Sequence, residues 1–203
     1  MVYFKPTNFM GYKHNREDII NTGSELIRQK GYHHVGINEI LKACGVPKGS
    51  FYNFFDSKED FVAQSLVAYG ERSKAYIASF MEDSSKSPLE RLKAMYAQFI
   101  EANTQEGCKA GCLVANLSLE IGGTNEYLAQ VSNEQFQQNL TPIIQCIEEG
   151  QKKGEITQQF SAAYLAEYLH AGISGAFSRM KVQRNRVYLD KWYAMTFAFI
   201  AAG

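Results

Sequence analysis

Residues 48–53, Lys-Gly-Ser-Phe-Tyr-Asn, form a short segment in which most side chains are polar or absent. A lysine can contact phosphate or guanine, hydroxyl and amide groups can contact phosphate or base edges, and glycine allows close approach. Lys58 follows nearby, where a phosphate could also meet the free N–H groups at the start of a helix. The alternative is an ordinary helical hairpin whose polar face is simply solvated.

Two cysteines offer a second kind of chemistry. Cys108 and Cys112 flank Lys109 and Gly111, and a helix beginning near Gly111 would place Cys112 in its first turn. The helix dipole and the free N–H groups would favour a thiolate there, which an electrophile or oxidant could modify. The alternative is that Cys112 is a small buried apolar residue, as free cysteines usually are.

The cysteines also define a rival function, a thiol-dependent redox or conjugating enzyme that uses Cys108 and Cys112. A helical adaptor that keeps the hairpin only as structure is a further alternative. No general base, glycine-rich phosphate loop or cofactor motif accompanies the cysteines, and the four histidines are scattered. We therefore expect no catalytic residues, no cofactor and no metal site.

The elements that position these residues are predicted to be helices. Apolar residues recur at helical spacing along the chain with little sustained apolar–polar alternation, which predicts an all-α protein. Residues 37–54 have the layout of a helix-turn-helix. Ile40 and Leu41 face inward, Gly45 makes a left-handed turn, and Phe51 anchors the second helix.

Helix ends can also be read from the sequence. Asn38 is expected to cap the first helix of the pair, and the second is expected to run from Pro47 to Phe54. Further along, Ser-Pro-Leu-Glu at residues 87–90 is a capping box with proline in the first turn. Pro142, inside the predicted helix 124–150, indicates a kink or a junction.

The charge of the chain is zero overall but unevenly distributed. Twenty-one Lys and Arg balance twenty-one Asp and Glu, yet residues 1–58 carry +3 and the remainder −3. This asymmetry is typical of a polyanion-facing module joined to an acidic body, although random scatter also explains it. We expect a DNA-binding domain over residues 1–56 and a second helical domain over 57–203. With no export signal and no long apolar run, a cytoplasmic location without membrane contact is expected.

A longer pattern carries a family resemblance. The chain resembles the TetR/AcrR family of bacterial regulators in Gly31-Tyr32, in residues 37–40, in residues 45–55 and in residues 57–61. The resemblance implies a homodimeric repressor in which a three-helix reader of double-stranded operator DNA is joined to a bundle that binds a small-molecule effector. The DNA contacts that it implies are Asn38, Lys48, Gly49, Ser50, Tyr52, Asn53 and Lys58.

The second half of the chain carries further expectations. Residues 111–120 are similar to a subgroup of the family that responds to reactive electrophiles, which implies effector sensing by Cys112 with Cys108 beside it. The bundle aromatics, among them Tyr164, are most simply core, but some could line an effector pocket. The residues proposed for that pocket are Tyr96, Phe99, Asn116, Phe136 and Tyr168. Helices over 161–181 and 186–202, rich in small and aromatic residues, are expected to form the dimer interface.

Overall fold

The computed structural model describes residues 15–202, and this part of the chain is built from nine α-helices. They are α1 (Arg16–Lys30), α2 (Ile37–Cys44), α3 (Lys48–Tyr52), α4 (Lys58–Met81), α5 (Pro88–Gln105), α6 (Leu113–Ile121), α7 (Glu126–Lys152), α8 (Ala162–Gln183) and α9 (Val187–Ile200). The β-structure within residues 15–202 is limited to one antiparallel bridge between Ile156 and Ala201. The predicted all-α class is therefore confirmed. The basic segment 1–14 lies outside the described residues.

The helices form two compact units, each assembled from two stretches of chain. The helix-turn-helix unit contains residues 15–69 together with Leu113–Gln135, and thus α1 to α3, α6 and parts of α4 and α7. The bundle unit contains Gly70–Cys112 and residues 136–202. The functional division expected at residue 56 remains a prediction, whereas the packing units divide the chain inside α4 and α7.

Local end signals in the sequence produce the expected helix ends. The Ser87 hydroxyl caps α5 by accepting a hydrogen bond from the backbone N–H of Glu90. In return, the Glu90 carboxylate accepts a hydrogen bond from the backbone N–H of Ser87, and Pro88 occupies the first turn. Gly45 ends α2 in the left-handed conformation at φ 68°. These predictions are confirmed because each depends only on residues within one turn of the helix end.

Two local expectations are wrong. Asn38 does not cap α2, because the helix already begins at Ile37 with Gly36 at the cap position, which leaves Asn38 exposed within the first turn. The second helix of the pair is shorter than expected, five residues from Lys48 to Tyr52, because the chain turns at Asn53 and Phe54. Neither difference moves the turn at Gly45.

Burial in the bundle unit also differs from expectation at α8. The core of this unit is a continuous cluster of apolar side chains from α4, α5, α7, α8 and α9. Tyr164 and Tyr168, expected in the core, are 72% and 46% exposed instead. Leu165 and Leu169 occupy the inward face of α8. Each tyrosine directly precedes one of these leucines in the sequence and therefore lies on the adjacent, outward side of the helix.

The last two helices pack closely. Gly172 of α8 lies against the indole of Trp192 of α9, and a Cβ at residue 172 would stand only 2.3 Å from Trp192 Nε1. The close approach at Gly172 therefore fixes how α8 and α9 meet.

Pro142 does not interrupt α7. The helix runs continuously from Glu126 to Lys152, so the junction considered above at Pro142 does not occur.

Candidate nucleic-acid interface

The second helix of the helix-turn-helix presents a polar face to solvent. Lys48, Gly49 and Asn53 are exposed, Tyr52 is 48% exposed, and Ser50 is half-buried. The side chain of Lys48 has no hydrogen bond or ion pair to any described residue, so its charge is available to an external partner. Five of the seven predicted contacts therefore lie on α3 and at its end, and four of these five are exposed.

A buried aromatic cluster holds this face in place. Phe51 is fully buried, with its ring centroid 4.9 Å from that of Phe55 and 5.7 Å from that of Phe61. The ring of Phe61 in turn approaches α1 at Gly23, where a Cβ would lie 2.5 Å from Phe61 Cζ. A helix of five residues has little stability of its own, so the burial of Phe51 is what orients α3.

The predicted contact residue Asn38 lies on α2, the helix that precedes α3. It is exposed in the first turn of α2, where backbone N–H groups without an intrahelical partner favour an anion. Gly49 offers open space instead, because a Cβ added there would meet no protein atom within 4 Å. Asn38 and the α3 face are therefore accessible in the same unit.

Lys58 is placed differently from the other predicted contacts. Its ammonium group donates to the backbone carbonyl of Tyr32 and lies 4.1 Å from the centroid of the Tyr32 ring. Burial lowers the pKa of Lys58, which Glu120 opposes by favouring the charged form. Lys58 thus already has a partner within the protein, in contrast to Lys48.

A carboxylate from α6 holds the loop between α1 and α2, a contact that sequence reasoning missed. Glu120 Oε2 accepts the backbone N–H of Tyr32 at 2.7 Å, and Oε1 accepts that of His33 at 2.8 Å. One turn earlier on α6, the amide of Asn116 donates to the carbonyl of Arg28 at 3.1 Å. These contacts join residues almost 90 positions apart, and no local sequence signal predicts them.

The comparisons with known proteins agree with this arrangement. Residues 19–64 match the family described as "Bacterial regulatory proteins, tetR family", and residues 88–196, more than half of the chain, match "Tetracyclin repressor-like, C-terminal domain". The chain belongs to the TetR family. It is accordingly a DNA-binding transcription regulator and not an enzyme, and its helix-turn-helix is the DNA-binding element.

Relatives and solved structures match this TetR-family chain over most of its length. The transcriptional repressor DhaR of Mycobacterium sp. strain GP1 is 36% identical over 182 residues, which cover 90% of each chain. The repressor NemR of Escherichia coli K12 is 28% identical and is covered over 85% of its length by 84% of this chain. A TetR regulatory protein of Rhodobacter sphaeroides has a TM-score of 0.86 at 30% identity, covering 91% of this chain and 97% of its own. The reduced form of E. coli NemR has a TM-score of 0.85 at 28% identity, covering 93% and 97%.

The two cysteines expected to sense an effector differ in accessibility. All four cysteines of the chain are free thiols, and Cys108 is buried whereas Cys112 is half-buried. Cys108 adopts the left-handed conformation at φ 57°, which few residues other than glycine do, and Gly111 follows at φ 72°. Cys112 comes directly before Leu113, the first residue of α6. Of the two residues, Cys112 is the more accessible.

The five residues proposed for an effector pocket are divided between the two units, with Asn116 in the helix-turn-helix unit and the other four in the bundle unit. Tyr96 is buried, which raises the pKa of its hydroxyl, and its ring lies 5.0 Å from Trp192 and 6.1 Å from Phe99. Phe136 contacts His170 at 4.7 Å, and burial lowers the pKa of that histidine. The remaining two, Asn116 and Tyr168, have contacts elsewhere, on Arg28 and on Phe199 respectively. Within the bundle unit, the rings of Tyr96 and Phe99 thus contact each other directly.

A buried polar residue that sequence reasoning missed, Asn139, lies in the bundle unit. Asn139 of α7 is 7% exposed, and its side-chain oxygen has no hydrogen-bond partner among the described residues. A buried acceptor without a donor is costly, so such a group points to a ligand or an ordered water that completes it. Its position within a long polar helix gave no sequence signal of burial.

The outer surface of α8 and α9 is unusually apolar for a solvated surface. Exposed apolar residues recur at helical spacing along both helices. They include Tyr164, Tyr168, Ala171, Gly175 and Val182 on α8, and Met195, Ala198 and Phe199 on α9. Large exposed apolar patches mark contact sites in proteins. It coincides with the two helices that the sequence predicts for dimerisation.

The helices and the metal-binding side-chain types within residues 15–202 bear on membrane and metal binding. None of these helices combines the length and the apolar character needed to cross a bilayer. The same stretch contains no grouping of three or more histidine, cysteine, aspartate or glutamate side chains that could hold a metal ion.

Proposed function

We propose that this protein is a homodimeric repressor that binds a palindromic operator through α3 and is released from it by a small apolar or electrophilic effector. The observation that carries the proposal is the pairing of an exposed polar face on α3 with the buried anchor Phe51. Lys48, Ser50, Tyr52 and Asn53 supply the cation, hydroxyl and amide groups that meet phosphates and base edges. Relatives named as repressors support the direction of control.

The dimer part of the proposal rests on the exposed apolar surface of α8 and α9. Tyr164 and Met195 are each more than 70% exposed in the single chain, and a second copy covering them would remove that area from water. A four-helix interface made from α8 and α9 of both subunits has the required two-fold symmetry. Two α3 helices would then read half-sites about 34–36 Å apart, or at another spacing set by the dimer.

We divide the proposed roles along the chain as the sequence suggests. DNA binding is assigned to residues 1–56, and effector binding and dimerisation to residues 57–203. Within the second part, Cys112 is proposed as the sensing thiol, with Tyr96, Phe99 and Asn139 as contacts for a non-covalent effector. Effector and operator would weaken each other's binding by the same factor, typically 5–150-fold in allosteric proteins.

Operator selection from a random duplex pool tests the DNA-binding part. We expect the selected sequences to contain an inverted repeat and binding to weaken steeply with salt, because displaced counterions are released from phosphates. Lys48→Ala should raise the Kd for the selected duplex, whereas Lys152→Ala, which removes an exposed lysine of the bundle unit, should not. Failure to enrich any duplex would contradict the proposal, and equal Kd values for both variants would remove Lys48 from the interface.

A thiol-replacement experiment tests the sensing part. A maleimide or an aldehyde should release the wild-type protein from the selected duplex, and Cys112→Ser should remain bound. Cys146→Ser is the matched control, since burial raises the pKa of the Cys146 thiol to about 11 and keeps it unreactive. Release of the Cys112→Ser variant at the wild-type reagent concentration would show that another group senses the electrophile.

A further inference from the structure

The loop between α1 and α2 is held from outside the helix-turn-helix sequence itself. The carboxylate of Glu120 accepts two consecutive backbone N–H groups, those of Tyr32 and His33, at 2.7 and 2.8 Å. Hydrogen bonds to an ionised acceptor are shorter and stronger than neutral ones. A pair of them on adjacent amides fixes both the position and the direction of the backbone that leads into α2.

The surrounding residues are fitted to this carboxylate. Gly31 stands directly before the two amides at φ 89°, and a Cβ there would lie 2.9 Å from Glu120 Oε2. Any other residue at position 31 would therefore crowd the carboxylate as well as strain the backbone. The glycine that ends α1 thus also makes room for the side chain from α6.

Tyr32 is held at three points at once. Its N–H donates to Glu120, its carbonyl accepts from Lys58, and its ring lies beneath the Lys58 ammonium group. Asn116, on the same face of α6 as Glu120, binds the carbonyl of Arg28 near the end of α1. Together these contacts attach the end of α1 and the first half of the α1–α2 connection to α6 and α4.

We propose that Glu120 is a positioning residue for operator binding, which sets the placement of α2 and α3 by holding the backbone of Tyr32 and His33. The inference rests on the proposed DNA-binding function. Glu120 itself is negatively charged and does not belong to the polar face of α3, so it acts through the loop and not through the duplex. Lys58 shares this role by holding the carbonyl of Tyr32.

The sign of the effect separates positioning from simple electrostatics. Removing a negative charge from a DNA-binding unit strengthens attraction to phosphates, so a purely electrostatic role predicts tighter binding by Glu120→Gln. Positioning predicts weaker binding, because the carboxamide offers one acceptor in place of two and turns a donor towards a backbone N–H. Glu120→Asp keeps the charge but is shorter by one methylene, so positioning predicts weaker binding for it also.

The experiment measures the Kd of each variant for the duplex selected by the wild-type protein and for a scrambled duplex of the same length. We expect Glu120→Gln and Glu120→Asp to raise the Kd for the selected duplex about tenfold or more, while the Kd for the scrambled duplex stays level or falls. Glu126→Gln is the matched control, since it removes an exposed carboxylate from the same stretch of the unit. Binding is compared at a temperature where circular dichroism shows every variant fully folded, so lost stability alone cannot produce the result.

Amide hydrogen exchange supplies a readout independent of DNA. The N–H groups of Tyr32 and His33 should exchange faster in both Glu120 variants than in wild type and in Glu126→Gln. Wild-type specificity in both Glu120 variants would overturn the inference, as would tighter binding of the selected duplex by Glu120→Gln. If the wild-type protein selects no duplex, the proposed function fails instead, and the two failures are distinguishable.

Discussion

Gly49→Ala tests whether DNA approaches α3 as closely as its composition suggests. The added methyl group would meet no protein atom within 4 Å, and residue 49 lies inside the short helix Lys48–Tyr52. Replacing glycine by alanine in a helix stabilises it by up to about 1 kcal/mol. For a chain of this size, we expect the thermal midpoint to stay level or to rise by roughly 2–4 °C.

Operator affinity should change in the opposite direction. A methyl group forced into a close-packed contact typically costs about 1–3 kcal/mol, which corresponds to a Kd roughly 5–150 times higher. The assay is fluorescence anisotropy with the selected duplex at one fixed salt concentration, alongside thermal unfolding of the same samples. The combination of a stable protein with weak binding is the expected signature of a contact made only with the partner.

The control for this prediction is Gly123→Ala. Gly123 is likewise exposed with no protein atom within 4 Å of an added Cβ, but it lies in the connection between α6 and α7. Its replacement should leave the Kd unchanged. Wild-type affinity in the Gly49→Ala variant would refute the close approach, and a lowered thermal midpoint would refute the assumption that the space around Gly49 is open.

Three further predictions concern the bundle unit. Met195→Glu places a charge at a position that is 73% exposed in the single chain, so the fold should persist. Because a charge buried in the dimer interface is costly, sedimentation velocity should show a monomer for the variant and a dimer for the wild type. An unchanged dimer would exclude the α9 surface from the interface. Gly172→Ala brings a Cβ to 2.3 Å from Trp192 Nε1 and should lower the free energy of unfolding in urea by about 1–3 kcal/mol. Unaltered stability would mean that α8 and α9 can move apart without cost. Asn139→Leu removes a buried oxygen that has no hydrogen-bond partner among the described residues, so the free energy of unfolding should rise by about 1–3 kcal/mol. The same variant should respond more weakly to a non-covalent effector. A destabilised variant would show that the amide already has its hydrogen bonds.

Sequence patterns predicted the parts of the fold that depend on neighbours in the chain. The Ser87 cap, the left-handed Gly45 and the buried Phe51 each follow from a few consecutive residues, and each occurs as expected. The polar face of α3 could be predicted for the same reason, since an anchored helix must turn its other side outward. Asn38 shows where local reasoning ends, because Gly36 and Asn38 can both end a loop and only tertiary packing decides between them.

Contacts between distant residues could not be predicted. Nothing in the residues around Glu120 indicates that its carboxylate meets amides 87 and 88 positions away. The exposure of Tyr164 was missed for a related reason: an aromatic residue at helical spacing fits a monomer core and a subunit interface equally well. Sequence periodicity gives the face of a helix but not the identity of the surface that covers it.

The helix-turn-helix unit is discontinuous in sequence, and this affects how the protein can be divided or recombined. A fragment ending at residue 69 would lack Leu113–Gln135 and would lose the partners of Arg28, Tyr32 and His33. A chimaera that transfers the operator specificity of this regulator to another sensor should therefore carry both stretches of chain. Conversely, the intervening stretch Gly70–Cys112 belongs to the bundle unit and supplies no residue to the two pieces from which the DNA-binding unit is assembled.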